Sequence, residues 1–124
     1  MHFLMPLFML TLINLGIAPA AMSQDSILGT WQAPEMENMT IQVYEAQDGY
    51  IYGKITAADE PDWVDKIILK KASFDEKQTA WVGEIYSLRA GMNVDVVMTL
   101  EEAEKLKIVG SRFGMSRTFY WVRK

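Results

Sequence analysis

The residues able to do chemistry in this chain are few, and their types narrow the chemistry quickly. There is one histidine, His2, and no cysteine. Beyond residue 2 the chain cannot build a Ser-His-Asp or Cys-His nucleophile or one of the common zinc sites. Acid-base work would fall to carboxylates. Two of them, Glu84 and Asp95, alternate with apolar neighbours and are expected on an outer face. Four more, Asp59, Glu60, Asp62 and Asp65, lie close together in the run "ADEPDWVD". Their order is not the Asp-x-Asp-x-Asn-Gly of a calcium loop, so they read as solvated acids. The run "GSRFG", Gly110 to Gly114, has the glycines of a phosphate cradle but leads into a strand pattern instead of a helix, which makes it a tight turn. The sequence thus predicts a non-enzyme, with no catalytic residue, no metal ligand and no cofactor.

The elements behind these residues are strands. Runs rich in Val, Ile, Tyr, Trp and Thr recur between clusters of Gly, Asp, Asn and Glu, and they predict strands over residues 28–32, 39–46, 50–57, 67–74, 79–87, 93–100, 105–111 and 117–123. Alternation marks a buried face: Val94, Val96, Met98 and Leu100 oppose Asn93, Asp95, Val97 and Thr99, and Ile51, Gly53 and Ile55 oppose Tyr50, Tyr52 and Lys54. "QDG" at Gln47 to Gly49 and "RAG" at Arg89 to Gly91 supply turn chemistry, and "DEKQ" and "EEAE" are polar connections. The fold expected is all-β: an antiparallel up-and-down meander of about eight strands that closes into a small barrel and so leaves no free edge. Pro61 excludes a central strand from "ADEPDWVD", which is expected to loop over one mouth of the barrel.

The first residues read differently. Residues 3–17, "FLMPLFMLTLINLGI", are apolar but short for a membrane span, and the small-residue stretch "APAAMS" follows. A signal peptide is expected over residues 1–23, cut after Ala20 or Ser23, leaving one barrel domain over residues 24–124 in a periplasmic or secreted location. The n-region has no Lys or Arg, so an uncleaved anchor is the alternative. Without cysteine the domain has no disulfide staples and must rest on packing and backbone pairing. Its formal net charge of -4 argues against nucleic acid and against anionic membrane surfaces as partners. An outer-membrane barrel is not expected, since Lys54, Glu84, Asp95, Lys105 and Lys107 would spoil its lipid-facing side.

The two ends of the barrel sequence belong together. In a meander barrel the last strand pairs with the first. Trp31 in "LGTW" is therefore expected to meet Arg117 or Arg123 of "RTFYWVRK", with Trp121 packed inward nearby. A guanidinium over the indole would plug one barrel end by cation-π contact. The functional alternative is an anion site made by Arg112, Arg117 and Arg123. Inward positions that could line a ligand cavity are Ile51, Ile55, Trp81, Ile85, Val94, Val96, Met98 and Phe119. Tyr44, Tyr50, Tyr52, Tyr86 and Tyr120 fall on the opposite face and could form a contact surface for another protein.

"GTW" followed far downstream by a strand ending in Arg resembles the Gly-x-Trp and terminal Arg of lipocalin-like barrels. With "YIYGKI", "WVGEIY", "LKIVG" and "RTFYWVR" in the same order, the chain resembles the exported bacterial family called domain of unknown function 2147 (DUF2147), small lipocalin-like barrels. That family tends to follow its Ile-Tyr with Asp-Pro and to place a Tyr after the next Gly. Here Ser87 and Leu88, then Gly91 and Val94, stand instead, which implies a more apolar mouth. The resemblance implies fold and export but no activity. Two functions follow as expectations: a non-catalytic module that binds one small apolar ligand, or an envelope interaction module that uses the tyrosine face.

Overall fold

The computed structural model describes residues 22–36 and 38–124. The expected leader lies outside the described residues except for Met22 and Ser23.

The alternating runs form eight strands: β1 Gly29–Ala33, β2 Met39–Glu45, β3 Ile51–Ala57, β4 Ile67–Asp75, β5 Ala80–Ser87, β6 Met92–Glu102, β7 Lys105–Arg112 and β8 Met115–Arg123. Their ends agree with the sequence expectation to within two residues. Each strand pairs antiparallel with the next, and β1 pairs with β8, Trp31 opposite Arg123 and Gln32 opposite Val122. The sheet is a closed barrel. Closure satisfies the backbone donors and acceptors that an open sheet would leave along two edges.

The turns follow from local chemistry. Between β2 and β3, Gly49 takes φ 86°, its N–H donating to Ala46 O while the Asp48 carboxylate accepts from Tyr50 N. Between β4 and β5, Asp75 accepts from the backbone of Lys77 and Gln78. "GSRFG" divides: Gly110 is a strand residue in β7, and only Phe113 and Gly114, both at positive φ, make the turn into β8. Phe113 there is 82 % exposed. The loop between β3 and β4 carries a short 3-10 helix, Pro61–Trp63, with Pro61 at its start, where the missing N–H costs nothing.

Strict alternation breaks in β4. Pairing shifts register between Lys70 and Ser73, and Lys71 sits at φ 50°. Ile68, Leu69 and Ala72 are all buried as a result. Bulges of this kind increase bend and twist, which a closed sheet of short strands requires. Gly83 of β5 lies under the bulge, where an added Cβ would come within 2.8 Å of Ala72 Cα.

Because the meander alternates direction, the two barrel ends differ. One end gathers the 3-10 helix Gln24–Ile27, the turns after β2, β4 and β6, and the end of β8. The other gathers the turns after β1, β5 and β7 and the Pro61–Trp63 loop. The barrel is filled by side chains, among them the fully buried Trp31, Trp81 and Trp121.

Candidate functional site

The first end is sealed. Ile27, at the end of its 3-10 helix, is fully buried, and its carbonyl accepts from Trp31 Nε1 at 2.9 Å. Gln24 ties this helix to the barrel three ways: its carbonyl accepts from Trp81 Nε1, its side-chain oxygen accepts from Phe74 N, and its side-chain nitrogen donates to Gly49 O. The Arg123 guanidinium lies 4.2 Å from the centre of the Trp31 ring. All of its edges are used: Nε donates to Ala103 O at 3.0 Å, Nη1 to Leu28 O at 2.9 Å and Nη2 to Ser26 O at 3.0 Å. Gly29 makes room for it. That residue has φ 123°, and a Cβ added there would sit 3.1 Å from Arg123 Nη1. The Gly-x-Trp spacing therefore has a steric reason: glycine admits the guanidinium, and the indole two residues on receives it.

Arg123 alone makes this contact. Arg117 pairs with Gly110 and lies at the other end of the barrel. The expectation that either arginine could close the barrel is thus resolved by register, since Arg123 is directly opposite Trp31. Trp121 is fully buried, as expected, but its Nε1 has no hydrogen-bond partner among the described residues. The three-arginine anion site does not form. Arg112 donates to Asn93 O and stacks on Phe113, while Arg123 belongs to the sealed end.

The second end opens into a pocket of about 280 Å³. Ile68, Ile85, Val94, Val96 and Phe119 line it from the barrel wall, and Met39 from the start of β2. Around the rim stand Glu35 and Met36 from the β1–β2 turn, Trp63 from the acidic loop, and Leu88 and Arg89 from the β5–β6 turn, together with Arg117. Gly110 leaves part of this volume free: a Cβ there would come 3.0 Å from Val94 Cγ1. Of the residues expected to line a cavity, Ile85, Val94, Val96 and Phe119 do so. Ile51, Ile55, Trp81 and Met98 instead pack in the solid core and do not line the pocket. The reason is length: strands this short leave room only near the mouth once three indoles occupy the interior.

Sequence reasoning missed Met36, Met39, Trp63, Leu88 and Arg117 as lining residues. Trp63 carried a signal, a tryptophan among acids in a loop expected at a mouth. Arg117 carried none, because only the strand register decides which end of the barrel it occupies.

The tyrosines do not make one surface. Tyr44 and Tyr52 stack on β2 and β3, with ring centres 6.2 Å apart, and the Tyr52 hydroxyl donates to Asp48 at 2.6 Å. Tyr50 is beside them at the head of the turn and is exposed. Tyr86 lies under Lys70, and Tyr120 under Lys105. An alternating face that looks continuous along the sequence is spread round the circumference when the sheet closes. The Tyr52 hydroxyl, with the Tyr50 N–H, holds the Asp48 carboxyl below its ordinary pKa, and the same bond raises Tyr52.

Glu84 and Asp95 are opposite one another on β5 and β6, both exposed, and Lys70 stands across from Glu84. Asp59, Glu60, Asp62 and Asp65 are all exposed. Among the described residues no group of three or more His, Cys, Asp or Glu is placed to hold a metal ion. No described helix is long and apolar enough to cross a membrane.

This geometry, a meander barrel sealed at its Gly-x-Trp end and hollow at the other, is that of a lipocalin-like barrel. The protein HP1028 from Helicobacter pylori, which belongs to the lipocalin family, has a similar fold: TM-score 0.59, with 79% of this chain and 82% of that chain covered at 16% sequence identity. At that identity the likeness concerns the fold. No protein-family model matches the sequence, and no curated protein matches it.

Proposed function

We propose that this protein is an exported, non-catalytic binding module that holds one small apolar ligand in the mouth pocket, and that it is a member of the DUF2147 group its sequence resembles. The carrying observation is the contrast between the ends. A barrel needing only stability would fill both with side chains, whereas here one end is sealed by the Arg123 and Trp31 stack and the other keeps about 280 Å³ open and mostly apolar. The volume lies at the small end of ligand pockets, which commonly run ~300–1,000 Å³. Barrels of this fold with such a cavity suit one small molecule. The lack of His and Cys after His2 supports binding over catalysis. Export rests on the apolar stretch and small residues of the first 23 positions.

The test uses N-phenylnaphthylamine, a neutral dye that brightens in apolar surroundings. The wild-type protein should give saturable enhancement at one site. Val94→Phe should abolish it, because Val94 is half-buried on the pocket wall and a larger ring there grows into the cavity. Its thermal unfolding should stay near wild type. Absence of saturable enhancement, or equal enhancement in Val94→Phe, would refute the reading.

A further inference from the structure

The inward row of β8 runs Arg117, Phe119, Trp121 and Arg123, and its two arginines are in opposite situations. Arg123 spends every nitrogen on a carbonyl and its face on an indole. Arg117 makes no hydrogen bond, ion pair or ring contact with any described residue, yet it lines the pocket beside Phe119. Its cross-strand partner is Gly110, so no side chain stands opposite to take up its donors or block its path over the cavity. An exposed arginine on the outer face would need no explanation. Along this row burial falls from Trp121, fully buried, through Phe119, partly buried, to Arg117, which is exposed where the row reaches the rim of the apolar pocket.

Resting on the binding reading above, we propose that the ligand is amphiphilic: a short hydrocarbon chain lies in the pocket and an anionic head, a carboxylate, is held at the mouth by Arg117. A planar guanidinium with five donors matches a carboxylate in a two-point fork, which an ammonium or a neutral hydroxyl group does not offer it. Arg89 also stands at the rim but is already engaged, and among the described lining residues Glu35 is the one carboxylate. Glu35 lies on the β1–β2 turn, whereas Arg117 is on β8, two positions from Phe119 on the same face of the strand. Chain length follows from volume: at ~30 Å³ for each water-sized group, a 280 Å³ pocket takes roughly nine such groups. Decanoate is the matching probe.

Displacement of N-phenylnaphthylamine should be compared for decanoate, decanol and decyltrimethylammonium at about pH 8, where a carboxylate of pKa near 4 is fully ionised. Decanoate should bind about tenfold tighter than decanol, the return expected of one charge-assisted contact at a partly hydrated mouth, and the ammonium should bind most weakly. Arg117→Gln, on an exposed side chain, should erase the preference by weakening decanoate about tenfold more than decanol; Arg117→Lys should keep part of it. Added salt should narrow the wild-type gap. Equal affinity for decanoate and decanol, or a preference that survives Arg117→Gln, would overturn this inference while leaving the pocket in place. Displacement by none of the three while the dye stays bound would overturn the inference alone; failure of the dye itself to bind saturably would overturn the pocket reading and the inference with it.

Discussion

Arg123→Lys is expected to destabilise the barrel by about 2–4 kcal/mol, although charge and length are nearly conserved. The guanidinium makes three hydrogen bonds to carbonyls on two segments, Ala103 in the β6–β7 turn and Ser26 and Leu28 in the lead-in to β1, and stacks 4.2 Å above Trp31. An ammonium is a point donor without a flat face, so it cannot reach all three carbonyls and keep the stack. Hydrogen bonds from a charged donor are worth ~1.5–3 kcal/mol each when buried and less when partly exposed, and the stack adds ~1–2 kcal/mol. Losing two bonds and most of the stack, with the exposed portion discounted, gives the stated range. For a domain of about a hundred residues, 3 kcal/mol corresponds to a fall in Tm on the order of 12–24 °C. Guanidinium chloride titration followed by intrinsic fluorescence would measure it. Trp31→Ala should cost more, about 3–5 kcal/mol, because it also empties a fully buried volume and strands the Ile27 carbonyl. Since that variant can fail to fold, the decisive measurement is a double-mutant cycle of Arg123→Lys with Trp31→Phe, which should show a coupling of at least ~0.5 kcal/mol. Additive losses would mean that the two residues do not act as a unit. An unchanged midpoint for Arg123→Lys alone would refute the closure argument.

Other expectations follow from single positions. Gly83→Ala should destabilise by about 1–3 kcal/mol in the same titration, because the new methyl meets the Ala72 backbone at 2.8 Å and backbone cannot rotate away. Asp48 titrates below its ordinary value in the fold because Tyr52 and the Tyr50 N–H favour its charged form. Its contribution is therefore present above the unfolded carboxylate pKa and is lost as pH falls through the lower folded value. Tyr52→Phe should move the Asp48 titration, followed by carboxyl NMR, upward toward the ordinary range; no movement would remove the hydroxyl as the cause. N-terminal sequencing of the protein recovered from its own cells should begin at Ala21 or Gln24, and recovery of intact Met1 in the membrane fraction would show an anchor instead.

Strand number, order and ends were legible in the sequence because each rests on short-range physics. Val94, Val96 and Met98 alternate with polar residues over a span in which the pleat repeats every two positions, and Asp48-Gly49 and Ala90-Gly91 punctuate the runs with the one residue type that takes positive φ without strain. Closure was legible too, since a meander with Trp31 at one end and arginines at the other has one economical way to remove its edges. Which arginine meets Trp31 was not, because both lie on the same face of β8 and register is a property of the paired strands. The bulge at Lys71 likewise arises where a closed sheet must bend, and nothing in "LKKAS" announces it. The pocket is the clearest case. Ile85 and Ile55 are both inward isoleucines of the same barrel, yet one lines open space and the other is packed solid. That difference depends on which inward positions the buried Trp31, Trp81 and Trp121 fill once the sheet has closed, and only the closed structure decides it.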